Sequence, residues 1–237
     1  MSAEESVSQG GLDALLISLQ LTDSAFPSGF YTLSHGLEGY AQAKAITPDT
    51  VEVLLADLLR HSVGPADATA LALAHRAARA GDFARVSETD RRLYATKLNR
   101  ELRLAVTRTG RQLLDIARES VGGIALDRYA KLVTAKHAPG CQAVVAGVTY
   151  AAAGAPVEQA VASDLFAFCA SFVGAALRLR LTDHRRAQVV LRSIAPVITE
   201  VTAGAVLRDL ADLGGCVPMA DVMSGRHERA EARLFAS

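Results

Sequence analysis

The residues best suited to chemistry are few and scattered. In the stretch Asp23-Ser-Ala-Phe-Pro-Ser-Gly-Phe-Tyr-Thr-Leu-Ser-His-Gly-Leu-Glu38, Glu38 is the only acid after Asp23 and lies close to Phe26, Phe30 and Tyr31. A buried carboxylate near an imidazole, Glu38 with His35 or with His137, is the combination that could do general acid–base work. Adjacent residues of a helix point apart, so Ser34 and His35 are no nucleophile–base pair. The six histidines (35, 61, 75, 137, 184 and 227) are far apart in sequence and none stands in an H-E-x-x-H arrangement. His137 and Cys141 share a four-residue spacing, but Pro139 between them argues against the helix that would align them. No metal site is expected.

Phosphate chemistry is equally absent. A P-loop places Lys after its second glycine. Here Lys44, Lys97, Lys131 and Lys136 follow Ala, Thr, Ala and Ala. There is no G-x-G-x-x-G after a strand and no G-x-S-x-G elbow. Cys141, Cys169 and Cys216 are an odd number, widely spaced, and read as core thiols of a reducing compartment. The Glu38 stretch reads either as a tight helix–loop–helix corner against the core or as a contact surface centred on Glu38.

Charge narrows the partner classes. The 237 residues carry 25 basic and 25 acidic groups, for a net charge of zero. Residues 1–75 sum to −7, residues 76–118 to +6 and residues 119–237 to +1. A neutral chain lacks the basic footprint of a nucleic-acid binder. Along the Arg-rich 97–118 segment acids interleave, and base-stacking aromatics are missing, so a nucleic-acid regulator is an alternative reading only. A polarised surface that meets another protein fits better. That idea requires that Arg100 and Arg103 are not paired with acids from residues 1–75.

The positioning elements are helices. Half of the residues are hydrophobic and only 5% are aromatic, and no alternating run suggests a strand. Helices are expected at about 12–21, 31–43, from Pro48, and from Pro65 to Gly81. A capping box at Ser87–Asp90 opens a long helix to about 118, whose stripe runs Leu98, Leu102, Ala105, Thr109, Leu113, Ile116. Gly110 within it marks a close helix crossing. Further helices are expected at 126–136, 140–153, 156–180, 184–194 and 197–213. The segment 165–177 is apolar all round, which predicts a central helix wrapped by others. At 13 residues that run is too short for a bilayer, which needs about 20. The acidic start excludes a secretory signal. The expected fold is a single-domain all-α bundle of about ten helices over residues 1–237, in the cytoplasm, with a flexible segment 1–10 and a flexible tail 225–237.

Three blocks carry a resemblance. Phe26-Pro-Ser-Gly-Phe-Tyr-Thr-Leu-Ser-His-Gly-Leu-Glu38, Arg100-Glu101 followed by Thr109-Gly-Arg-Gln-Leu-Leu114, and the terminal Arg226-His-Glu-Arg-Ala-Glu-Ala-Arg-Leu-Phe-Ala-Ser237 resemble, in order and spacing, the signatures of the UreF family of urease accessory proteins. The resemblance implies a non-enzymatic, helical, homodimeric scaffold. It implies that UreD (also called UreH), the GTPase UreG and apo-urease are the partners, with no nucleic acid and no membrane. Nickel and GTP would be handled by those partners, and no cofactor would be bound by this chain. It assigns Glu38 and Arg178 as GTPase-coupling candidates. Phe26, Pro27, Gly29, Tyr31, Ser34 and Gly36 become partner-binding residues of the N-terminal signature. Arg226, His227, Glu228, Arg233, Leu234 and Phe235 form a partner-binding tail that orders on binding. A Pro-Leu-Gly-Gln segment of the family is replaced here by Leu181-Thr-Asp-His184.

Overall fold

The structure is a computed structural model and describes residues 3–27 and 29–236, with side chains from residue 11. Of the N-terminal segment 1–10, residues 1 and 2 and the side chains of 3–10 lie outside the described residues; so do Ser28 and Ser237. The described residues form helices and connections, with no strand among them. Helix α1 spans Ala3–Thr22, and a short 3₁₀ turn at Phe30–Thr32 precedes α2, Leu37–Gln42. Then come α3 (Val51–Leu58), α4 (Thr69–Arg79), α5 (Phe83–Thr96), α6 (Arg100–Ser120) and α7 (Ile124–Thr134). The chain closes with α8 (Gln142–Ala152), α9 (Val157–Arg178), α10 (His184–Ser193), α11 (Ala195–Ala205) and α12 (Pro218–His227). This is the expected all-α bundle.

Helix α9 packs against α1, α2, α3, α4, α8, α10 and α11, which is the central position that its apolar sequence predicts. One face stays open, with Phe166 43% exposed. Helix α9 has the length and apolarity to cross a bilayer, and half of its most apolar window is buried against the bundle. Helix α8 is the more enclosed partner: every residue from Gln142 to Tyr150 is buried. Gly110 of α6 is where α8 begins. A Cβ there would stand 2.0 Å from the Gly140 carbonyl oxygen and 2.8 Å from the Gln142 nitrogen, so the close crossing is real.

Several expected boundaries move: α3 begins at Val51 and not at Pro48, the 31–43 helix is split into a 3₁₀ turn and α2, and the 197–213 helix ends at Ala205. Pro65 does not open a helix; it lies inside one, where Leu59–Ala68 widens into π-helical turns between α3 and α4. Proline has no N–H to donate and its ring crowds the carbonyl four residues back, and the wider turn relieves both. The Pro65 carbonyl accepts from Gly214 N at 3.1 Å. Ser87 is not a cap either. Helix α5 starts earlier, with Asp82 accepting from Arg85 N, and α6 starts separately, with Asn99 accepting from Leu102 N. Asp90, assigned to that box, is fully buried and accepts from Tyr129 Oη (2.7 Å), Gly140 N (2.7 Å) and Cys141 N (3.0 Å), tying α5 to the start of α8. Leu98, read as part of the inner stripe, precedes α6 and is 65% exposed.

Candidate functional site

Glu38 is presented by a backbone built for it. Gly29 and Gly36 both take positive φ, 83° and 85°, a region that side chains with a Cβ disfavour. Gly36 caps α2, so that Leu37 and Glu38 turn inward and are buried. Glu38 N lies 3.3 Å from Ser34 Oγ as its donor. On the facing side, α12 packs against α2 and carries His227, 0% exposed.

His227 joins two buried carboxylates. Its Nε2 lies 2.8 Å from Glu38 Oε2 and its Nδ1 lies 3.0 Å from Glu101 Oε2. The two ring nitrogens are thus each within hydrogen-bond distance of a different carboxylate. The charge chain continues outward, because Arg233 Nη1 donates to Glu101 Oε1 at 2.9 Å. Glu38 accepts further from the main chain of the tail: Leu234 N at 2.8 Å and Phe235 N at 3.0 Å. Ala236 N donates to the Thr32 carbonyl at 2.9 Å. The two ring nitrogens serve different oxygens and do not converge on one point. Among the described residues, no group of three or more His, Cys, Asp or Glu is placed to hold a metal ion.

Arg178, at the end of α9, closes the other side. Its guanidinium carbon stands 4.0 Å from the Tyr31 ring centroid and 4.2 Å from that of Phe235, and Nη1 donates to the Tyr31 carbonyl. The cation is therefore held between an aromatic of the N-terminal loop and one of the tail. Its Nη2 is buried with no hydrogen-bond partner among the described residues. Tyr31 itself is 66% exposed.

Below this layer lies a cavity of about 150 Å³, lined by His35, Asp67, Lys97, Gln142, Asp164 and Asp221 among others. Lys97 is salt-bridged to Asp67 at 2.7 Å. Burial pushes the Asp164 carboxyl up to about 7, even though Gln142 Nε2 donates to it at 2.8 Å. Burial, helped by the charge of Arg178, brings His35 down to about 3, so the ring is neutral. His35 Nε2 is 2.8 Å from Ser171 Oγ and its ring packs on Phe168. His35 is engaged with Ser171 and Phe168, while His227 is the imidazole that Glu38 meets.

A family model, UreF, matches residues 46–195. Relatives extend the match to nearly the whole chain. The urease accessory protein UreF of Trichodesmium erythraeum is 30% identical over 94% of this chain and 96% of its own length. That of Azorhizobium caulinodans is 34% identical over 90% of each chain. UreF 2 of Brucella canis is 29% identical over 98% of this chain and 96% of its own. The chain belongs to the UreF family of urease accessory proteins. Its role is in urease maturation, as an accessory protein and not an enzyme.

This UreF-family chain brings Glu38, Arg178, Tyr31, His227, Arg233 and Phe235 into one site. Ser34 and Gly36 shape its floor, and Gly29 opens its loop. Phe26 is half-buried and Pro27 exposed at the loop's entry. Arg226 and Leu234 point outward, and Glu228 stands on the rim of a groove beside α6. Glu38 is 4% exposed, so in this chain it faces the tail and not solvent. Sequence reasoning placed Glu101 in a resemblance block but gave it no site role, although Glu101, Ala105 and Thr109 lie four residues apart on one buried face of α6. It also passed over Gln42, whose Nε2 donates to the Ala232 carbonyl at 3.1 Å. Leu181–His184 retains a local role, since Asp183 caps α10 by accepting from Arg185 N and Arg186 N.

Proposed function

We propose that this chain is the cytoplasmic, homodimeric scaffold which, with UreD/UreH and the GTPase UreG, couples GTP hydrolysis to nickel insertion into apo-urease. Family membership supports the setting. The observation that carries the finer reading is the double use of Glu38, which receives both His227 and two tail amides. The tail is thereby presented as a shaped surface, with Tyr31, Arg178 and Phe235 stacked at its edge. Glu38 acts as a positioning residue for that surface, and the stacked edge together with the outward residues of the tail meets the GTPase. Nickel is cargo, passed between partners that ligate it.

The test is co-purification of UreG and UreD with the tagged chain. Wild type retains both, and Glu38→Ala retains at least tenfold less UreG while circular dichroism shows an unchanged helical fold. Full UreG recovery by both Glu38→Ala and Arg178→Ala would remove this surface from the reading.

A further inference from the structure

Outside the buried charge chain, the docked tail and α6 enclose an open groove of about 340 Å³. Its α6 wall is Arg100, Leu104 and Arg108, three residues at four-residue spacing and therefore on one helix face. Its opposite wall is Glu228, Arg233 and Ala236 of the tail. Leu104 is 57% exposed on that face. Exposed Arg111 prolongs the row by one further turn.

The charges of this groove are mostly unanswered. Arg100 has no hydrogen bond or ion pair among the described residues. Arg108 uses Nη2 on Thr32 Oγ1 at 3.1 Å and keeps its other donors. Glu101 is spent, with one oxygen on Arg233 and the other on His227. Glu228 is the one acid left to oppose Arg100 and Arg108. The polarised surface survives as well. Arg103 donates to the Lys97 carbonyl at 2.7 Å and lies over the Tyr94 ring, and neither Arg100 nor Arg103 meets an acid from residues 1–75.

We infer that this groove is a docking site for an acidic segment of a partner protein, with an apolar side chain on Leu104 and flanking carboxylates on Arg100 and Arg108. Guanidinium groups pair with carboxylates in two parallel hydrogen bonds, and the exposed leucine between them gives an apolar anchor its seat. A nucleic acid fits less well. The row is short for a phosphodiester backbone, and Leu104 offers nothing to a phosphate. Because one wall is the tail, the groove depends on the contacts that dock it, His227 with Glu38 and Glu101 among them. Occupancy therefore stabilises the docked tail, and a docked tail favours occupancy. The inference needs no particular maturation partner, so it can fail while the proposed function stands.

The probe is a fluorescein-labelled peptide, Glu-Glu-Leu-Glu-Glu with blocked ends, titrated against the full chain by anisotropy at low salt. Wild type is expected to bind it, with affinity falling as salt rises. The Arg100→Glu/Arg108→Glu variant is expected to bind at least tenfold more weakly, with its tail as protease-resistant as wild type. Leu104→Asp should weaken binding likewise, and His227→Ala should do so by releasing the tail. The isosteric Gln-Gln-Leu-Gln-Gln peptide should not bind. No binding of the acidic peptide, equal binding by the charge-reversed variant, or displacement by a short DNA duplex at lower concentration than by unlabelled peptide would each overturn the inference.

Discussion

His227 Nε2 and Glu38 Oε2 are 2.8 Å apart across 189 residues of sequence, and both side chains are almost fully buried. The contact fastens the end of α12 to α2. The opposite ring nitrogen does the same to α6 through Glu101. Loss of the imidazole removes one buried hydrogen-bond partner from each carboxylate, leaving Glu38 to the tail amides and Glu101 to Arg233.

His227→Ala should therefore cost about 1–3 kcal/mol, measured by chemical denaturation. Limited proteolysis should cut the variant's tail, between residues 228 and 236, well before its bundle. His227→Gln keeps part of the hydrogen-bonding capacity, and should fall between wild type and the alanine variant.

Arg178→Lys should loosen the tail without unfolding the chain. A planar guanidinium stacks on Tyr31 and Phe235 together, whereas an ammonium is a strongly hydrated point charge. Each ring contact contributes about 0.5–2 kcal/mol. The expected readout is faster amide exchange at residues 234–236, with the exchange of α8 unchanged.

Gly110→Ala is expected to be severe for a single methyl group. The added carbon would overlap the Gly140 carbonyl, which is backbone and cannot rotate away. Overpacking of this kind costs about 1–3 kcal/mol, and should appear as a lower denaturation midpoint with the helical content retained.

Asp164 and His35 predict opposing pH effects from the same cavity. The Asp164 carboxyl is raised from 3.8 to about 7. Between those values the folded chain holds a proton that the unfolded chain has lost, so stability from this group falls as pH rises from about 4 to 7. The His35 ring is lowered from 6.5 to about 3. Between those values the unfolded chain holds the extra proton, so stability from this group falls as pH drops through the window. Asp164→Asn should be more stable than wild type at pH 7, the difference vanishing near pH 4. Denaturation midpoints at the two pH values check both signs.

The helical architecture was legible because its causes are local. The 165–177 run, the periodic face of α6 and the glycine at its crossing all act within a few turns. Where the reading missed, a competing local cause decided. Pro65 was absorbed by a π-helical widening that no residue pattern announces. Ser87 lost the cap to Asp82 because α5 begins five residues earlier than the box implied. The site was half legible. Glu38, Arg178 and the tail could be named from motif resemblance, but their meeting joins residues more than a hundred positions apart. Glu101 carried a weaker signal, an acid on the buried face of α6, and an unpaired acid on such a face predicts a cation opposite.

The most direct test of the account is reconstitution of urease activation from purified apo-urease, UreD, UreG, GTP and nickel, with and without this chain. Active urease should form with the wild-type chain and stay near background without it, and Glu38→Ala should support at most a tenth of the wild-type yield. Equal activation in the absence of the chain would contradict its place in urease maturation.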